Sequence, residues 1–298
     1  MGGWTQVSAH GTGCSLSTVE EQIVRMKLAT PTNGLMVLSP TDEAFLFKWA
    51  KAGLGALGVV TELTLKVMPS VSLRETTTVL DKDGVLKGHA ERLKDHRHCR
   101  YMWIPYTKDT VVVLSNPTEE AHTAPADLTG AGATKPLSKL LEEAHRDEKS
   151  TSALDTQGMS FTQLRDALLD IAPLDSAHIR KVNRAEAGFW RNASKLPARV
   201  ADSTDVLGFD CGGQQWVLEV CFPIGTLEDV AALQRNALGF YPTSVLGGGR
   251  DGPKDIAFVK EILQAIDDHN IAAPSPIEQR WSARSTSPMS PAYSTNKD

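Results

Sequence analysis

The stretch LGALGVVTELTLKV, Leu54–Val67, carries the clearest fold signal in the chain. Its apolar side chains alternate with polar ones up to the last valine, and this period of two predicts a half-buried β-strand. Gly53, Gly55 and Gly58 stand just before the alternating part. Glycine permits positive φ and a close approach of the backbone to another group, so the segment either wraps a ligand or turns a corner.

The sequence on either side of this strand predicts an α+β fold in two domains. Before it, Ser39–Asp42 offers helix-starting residues and precedes apolar residues at helical spacing. After Pro69, Arg100–Pro105 and Asp109–Ser115 are predicted to form a β-hairpin, and several amphipathic helices follow. The predicted domains are residues 1–69 and 70–298, and the segments 118–158 and 233–253 are expected to be surface insertions.

Composition and charge exclude several classes of function. The 298 residues are 41% hydrophobic and 22% charged, the balance of a soluble globular protein. Because 31 lysine and arginine residues stand against 36 aspartate and glutamate residues, the net charge is −5 and no basic field favours nucleic acid. No run approaches the roughly 20 apolar residues of a transmembrane helix. The four cysteines lack CxxC spacing, so we expect no metal site.

The motif HGTG, His10–Gly13, is the first candidate site. Two glycines around a threonine let consecutive backbone N–H groups converge on an anion or on a ring carbonyl. An ordinary tight turn with a surface histidine explains the same four residues. The motif alone does not decide between these alternatives.

The segment PIEQRW, Pro276–Trp281, is the second candidate. In an extended chain Glu278 and Arg280 share one face, whereas Ile277 and Trp281 can point into the core. A carboxylate beside a guanidinium can hold a polar substrate and stabilise developing negative charge. A structural ion pair on a sheet face is the alternative.

Taken together, these segments resemble the plant-type branch of the aldonolactone oxidoreductases, which belong to the vanillyl-alcohol-oxidase flavoprotein family. The resemblance implies the C-terminal part of a vanillyl-alcohol-oxidase-type FAD-binding domain, followed by an incomplete α+β cap domain with an antiparallel sheet. The segments that carry it are QVSAHGTG, GLGALGVVTELTLKV, YMWIPYTKDTVVVLSNP, FTQLRDALL, KVNRAEAGFW, LGFDCGGQQWVLEVCFP and PIEQRWSARSTSPMSPAYST.

The resemblance also implies the functional residues. Glu278 would orient or deprotonate a hydroxyl of the sugar ring, and Arg280 would hold the lactone and stabilise negative charge on the reduced flavin. FAD is the implied cofactor. Its implied contacts are Ser8, Ala9, His10, Gly11, Thr12 and Gly13 along the first loop, and Gly58, Val59 and Val60 at the strand.

The implied activity is oxidation of L-galactono-1,4-lactone to L-ascorbate, the last step of ascorbate biosynthesis, with electrons passed to cytochrome c. The implied location is the mitochondrion, on the intermembrane-space side of the inner membrane. The alternative is a non-catalytic role in the assembly of respiratory complex I. We expect the chain to be an internal fragment that lacks both ends of the family pattern, and therefore to retain FAD weakly or not at all.

Overall fold

The computed structural model describes residues 2–128, 132–147, 155–208, 217–237 and 252–295. Two compact units are present, and each is assembled from separate parts of the chain. The first contains Met1–Ser70, Leu218–Thr226 and Arg280–Asp298, and the second contains Val71–Val217 and Leu227–Gln279. Within the described ranges, no helix is long and apolar enough to cross a membrane.

The first unit is built on a three-stranded antiparallel sheet in the order β2-β1-β3. The predicted strand is present as β3, and the predicted helix before it is α2. One face of the sheet packs against α2, where Met26, Leu28 and Phe47 are buried. The elements are α1 Gly2–Gln6, β1 Ile23–Thr30, β2 Gly34–Leu38, α2 Ala44–Ala50 and β3 Val59–Leu65.

Gly58 has a packing reason to be glycine. Its φ is +144°, a conformation that other residues rarely adopt, and a Cβ there would lie 2.2 Å from the carbonyl oxygen of Ala29. The strand β1 thus approaches the start of β3 too closely for any side chain. This requirement holds whether or not a ligand also contacts Gly58.

The second unit is built on a five-stranded sheet in the order β7-β4-β6-β5-β8. The pairs β4 with β6, β4 with β7, and β5 with β6 are antiparallel, which confirms the expected α+β class and the predicted hairpin. The elements are β4 Ser72–Leu80, α3 Lys82–Leu86, α4 His89–Asp95, β5 His98–Trp103, β6 Thr110–Pro117, α5 Lys135–Asp147, α6 Phe161–Ile171, α7 Ser176–Ala193, β7 Arg199–Asp202, α8 Ser203–Leu207, α9 Leu227–Ala237, α10 Lys254–Asp268 and β8 Ile277–Arg280.

Helices contact both faces of this second sheet. On one face, Met102 and Val113 pack against Ala187 of α7. On the other, the hydroxyl of Tyr101 accepts a hydrogen bond of 2.8 Å from Arg92 of α4. Side chains that alternate along β5 therefore enter two different cores.

Helix α5 lies inside the segment 118–158, which the sequence predicts to be a surface insertion. Leu137 and Leu141 of this helix are nevertheless buried, in one cluster with Leu164 of α6 and Val182 of α7. The helix is amphipathic, so its charged face reaches solvent while its narrow apolar stripe completes a three-helix core. Residues 129–131 and 148–154 of that segment, and 238–251 of the segment 233–253, lie outside the described residues.

Trp216, Leu218 and Val220 alternate with Val217, Glu219 and Cys221, a period of two that predicts a strand, but no strand is formed in the described part of this segment. Residues 217–226 adopt no regular secondary structure. Val217 and Leu218 are 81% and 90% exposed, so the alternating pattern does not correspond to a buried face here. Trp216 lies outside the described residues.

Candidate functional site

The loop that contains HGTG is fixed at both ends within the first unit. At its start, Ser8 has a left-handed backbone with φ of 58°. Its hydroxyl donates a 2.9 Å hydrogen bond to Glu20 and lies 2.6 Å from the hydroxyl of Ser290. At its end, the amide of Gly13 donates to the carbonyl of Trp281 at 2.7 Å. These anchors hold the intervening residues in a defined place.

The anchor Glu20 is fully buried and bound by hydroxyl groups. One carboxylate oxygen accepts from Ser8, from Thr18 at 2.5 Å and from Ser285 at 2.6 Å. Since burying a carboxylate is costly unless donors surround it, these three hydroxyls offset part of that cost, while the other carboxylate oxygen is buried with no hydrogen-bond partner among the described residues. The segment 285–290 thereby becomes part of the support of the loop.

Gly11, between the anchors, is exposed and has room beside it. An added Cβ would meet no atom of the described residues within 4 Å, and the backbone is not left-handed there. Within the described ranges its amide donates no hydrogen bond to the protein. The loop thus presents a backbone donor beside open space, where an anion or a carbonyl oxygen could approach.

Glu219 joins two of the residues singled out in the sequence. Its carboxylate lies 2.8 Å from Nε2 of His10 and 2.6 Å from Nη2 of Arg280. The exposed fraction of the side chain is 19% for His10, 49% for Glu219 and 28% for Arg280. All three belong to the first unit.

The contacts in this cluster shift the pKa of two of its groups. The hydrogen bond with Glu219 raises the pKa of His10 above its ordinary value of 6.5, against the opposing effect of burial. The hydrogen bond with His10, supported by the charges of His10 and Arg280, lowers the pKa of Glu219 to about 2. The cluster therefore holds an ionised carboxylate between a histidine that favours protonation and a permanent cation.

Glu219 lies in neither of the two sequence motifs that mark the candidate site. It lies 209 positions from His10 and 61 positions from Arg280. The local sequence, WVLEVCF, surrounds the glutamate with apolar residues. No local signal connects it to either partner, so only the tertiary structure reveals the contact.

Glu278 has a different environment from Arg280. It lies on β8 in the second unit, and its carboxylate is 3.9 Å from Nη1 of the buried Arg100 on β5. Arg280, the last residue of β8, belongs to the first unit. The structure thus places the two predicted catalytic residues on one strand, where Glu278 lies near Arg100 and Arg280 pairs with Glu219.

The remaining predicted contacts are spread along the first unit. Val59 is 68% exposed, whereas Val60 packs partly into the core beside the sheet. Ala9 is held by a 2.8 Å hydrogen bond from the amide of Val19 to its carbonyl. Thr12 is half-buried. Contacts between these residues and a cofactor stay predictions.

Comparison with known proteins identifies the family. The sequence profile described as D-arabinono-1,4-lactone oxidase matches residues 63–236, which is more than half of the chain. The chain belongs to the D-arabinono-1,4-lactone oxidase family. This membership confirms the resemblance to aldonolactone oxidoreductases and the expected type of α+β fold.

Relatives of this D-arabinono-1,4-lactone oxidase family member are about twice as long as the chain. The chain is 40% identical over 310 residues to L-galactono-1,4-lactone dehydrogenase, mitochondrial, of Arabidopsis thaliana. This alignment covers 100% of the chain and 47% of the relative. The chain is also 40% identical over 304 residues to L-galactono-1,4-lactone dehydrogenase 1, mitochondrial, of Oryza sativa subsp. japonica, with 100% and 48% covered. A cholesterol oxidase from B. sterolicum is similar with a TM-score of 0.45 and 9% identity, over 68% of this chain and 38% of that one.

Members of the D-arabinono-1,4-lactone oxidase family are FAD-binding flavoenzymes, and the described loop fits part of such a cofactor. Among the described residues, the free amide and open space at Gly11 suit a hydrogen-bond acceptor such as a ring carbonyl. Arg280 adds positive charge beside that loop, and His10 adds to it when protonated. The residues that would hold FAD are thus the backbone of the Ser8–Gly13 loop and these two side chains.

Proposed function

We propose that this chain supplies part of the flavin and lactone site of an FAD-dependent aldonolactone oxidoreductase. The observation that carries the proposal is the contact of Glu219 with both His10 and Arg280. It joins the predicted flavin loop to a predicted substrate residue within one unit. Family membership supports the reaction class.

The reaction removes two electrons and two protons from the lactone ring. When bound, FAD supplies the acceptor for the electron pair, which leaves the substrate as a hydride together with a proton from a hydroxyl group. Arg280 holds the lactone through its planar guanidinium and stabilises negative charge that develops on oxygen. Glu278 orients or accepts the hydroxyl proton.

On the flavin side of this site, His10 and Glu219 hold each other in a fixed arrangement. Because the carboxylate of Glu219 contacts both His10 and Arg280, it fixes their side chains before a ligand binds. A preorganised donor set lowers the reorganisation that the reaction requires. The ionised Glu219 also balances part of the positive charge, so the site suits a neutral lactone.

The finer identity of the reaction follows from the relatives. Their names support L-galactono-1,4-lactone as the substrate and the mitochondrion as the location. Formation of L-ascorbate, cytochrome c as the acceptor and the inner membrane as the site of action complete this proposal. A role in the assembly of respiratory complex I stays a prediction, because no feature of the described residues favours it.

The described part of the site is open, and we expect weak retention of FAD. Glu219 is half-exposed and Gly11 is exposed. Sites for small molecules commonly bury about 70–90% of the ligand surface. FAD is therefore expected to bind reversibly and to dissociate during gel filtration.

The reaction is tested by mixing the chain anaerobically with excess FAD and L-galactono-1,4-lactone and following the visible flavin absorbance. Bleaching is expected with the wild type. It is expected to be about tenfold slower or more in Arg280→Lys, because lysine keeps the charge but loses the planar fork.

The matched control is Arg25→Lys, since Arg25 lies on the exposed sheet and pairs with Glu62. This variant should bleach flavin at the wild-type rate. Absence of bleaching in the wild type refutes the proposed activity, and equal rates in wild type and Arg280→Lys remove Arg280 from the mechanism.

A further inference from the structure

A buried polar cluster in the second unit is not used by the proposed reaction. Arg165 of α6, together with Asn183 and Glu186 of α7, is at most 3% exposed. The last two belong to the motif KVNRAEAGFW, to which the sequence assigns no function. All three side chains contact the segment Ala273–Ser275, directly before β8.

Asn183 binds two separate parts of the chain. Its Nδ2 donates to the carbonyl of Pro105 at 3.1 Å and to the carbonyl of Ala273 at 2.9 Å. Its Oδ1 accepts from the amide of Ser275 at 2.9 Å. Pro105 follows β5 and Ser275 precedes β8, so one side chain fixes the ends of two neighbouring strands.

Arg165 and Glu186 complete the attachment of Ser275. Nε of Arg165 lies 3.3 Å from a carboxylate oxygen of Glu186, and the guanidinium also donates to the carbonyl of Ser275. The hydroxyl of Ser275 donates to Glu186 at 3.0 Å. Thus the amide, the carbonyl and the hydroxyl of Ser275 each have a buried side-chain partner.

A buried network of this kind does little for stability compared with apolar side chains of similar size. Removing water from an ion pair costs about as much as the attraction returns, whereas the directional bonds allow one arrangement only. The bonds of this network reach Pro105 after β5 and Ser275 before β8, so they bear on the position of β8 relative to β5.

We infer that Asn183, supported by the Arg165–Glu186 pair, is a positioning residue for Glu278. Glu278 follows Ser275 by three residues on β8 and lies 3.9 Å from Arg100 of β5. A shift of β8 by one residue turns every side chain to the opposite face of the sheet, which would separate this pair. The inference rests on the proposed function of Glu278.

The positioning is tested by amide hydrogen exchange of the 298-residue chain. Asn183→Ala should accelerate exchange in Ile277–Gln279 about tenfold or more, while amides of the β4–β6 pair keep their rates, because the lost bonds act locally. Asn192→Ala should leave β8 unchanged, because the Asn192 side chain lies on the same helix and, among the described residues, is bonded only to Lys195. Ser275→Ala, which removes one hydroxyl bond, should show the same local effect if Asn183→Ala fails to fold. Unchanged exchange in β8, or equal acceleration of all amides, overturns the inference.

The affinity for the lactone tests whether Asn183 acts through Glu278. The experiment is a double-mutant cycle in which calorimetry measures the binding of L-galactono-1,4-lactone in excess FAD. Asn183→Ala should weaken lactone binding when it is introduced into the wild-type chain, and it should cause no further loss when it is introduced into Glu278→Gln. Additive losses contradict action through Glu278. If the wild type does not bind the lactone, the proposed function fails, whereas the exchange experiment still decides whether Asn183 positions β8.

Discussion

Glu219 couples the ionisation of His10 to the position of Arg280. The hydrogen bond between Glu219 and His10 is the largest cause of the raised pKa of His10. Glu219→Gln should therefore lower that pKa toward 6.5. The pKa is measured from the pH dependence of the His10 ring signals in NMR spectra. Glu62→Gln removes a carboxylate that pairs with Lys27 and Arg25, so it should leave the His10 titration unchanged. An unaltered His10 titration in Glu219→Gln would contradict the contact.

The sign of each shift defines the pH range in which this contact stabilises the fold. Glu219 has a lowered pKa, so its contribution is present above the ordinary value of 4.5 and is lost as the pH falls toward about 2. His10 has a raised pKa, so its contribution is present below 6.5 and is lost as the pH rises through the raised value. Both contributions are complete between 4.5 and 6.5.

Gly11 and Gly58 are glycines for different reasons, and their alanine variants should separate those reasons. Gly58→Ala forces a side chain against Ala29 and into a strained backbone, which should cost at least about 1–3 kcal/mol of the free energy of unfolding. Gly11→Ala meets open space, so its effect should stay within about 0.5 kcal/mol. Urea denaturation measures both. Equal losses would contradict the described packing of β1 against Gly58.

Local residue patterns predicted part of the candidate site. HGTG and PIEQRW pointed to His10 and Arg280 because each motif combines suitable chemistry within a few residues. Glu219 could not be found in that way, since its two partners are distant in sequence and its own neighbours are apolar. Arg100 was likewise missed as a partner of Glu278, because cross-strand pairing depends on sheet order.

At the scale of elements, α5 tests whether the segment 118–158 contributes to a core. Leu137→Ala should lower the free energy of unfolding by about 2–5 kcal/mol, because the side chain is fully buried against α6 and α7. Leu174→Ala is the matched control, since Leu174 is 90% exposed and should tolerate the change. Both values come from chemical denaturation. Similar small losses of stability in both variants would contradict the burial of Leu137 and would indicate that α5 lies on the surface.

Pattern length and pairing explain why some elements were predicted and others were not. The strand β3 and the hairpin of β5 and β6 have long apolar signals and local connections, so the sequence identified them. Helix α5 carries its apolar residues among many charges, which favoured an exposed assignment. Residues 217–222 carry a strand pattern, but a pattern does not supply the neighbouring strand that pairing requires.

At the scale of the whole molecule, each compact unit combines distant parts of the chain. The first unit recruits Leu218–Thr226 and Arg280–Asp298 to the N-terminal sheet, and these two segments supply Glu219 and Arg280. The composition along the chain does not predict such an arrangement, because contacts between segments that are distant in sequence form only on folding. The assignment of the units to a flavin-binding domain and a cap domain stays a prediction.

A fluorescence titration of FAD with the wild-type chain and with Gly11→Ala tests directly whether the Ser8–Gly13 loop binds flavin. We expect saturable, reversible binding to the wild type, with loss of the flavin on gel filtration. We expect weaker binding to Gly11→Ala at unchanged stability, because the added methyl group occupies the open space beside the loop. Equal affinity of the two proteins, or no saturable binding by the wild type, would contradict the assignment of the Ser8–Gly13 loop to flavin.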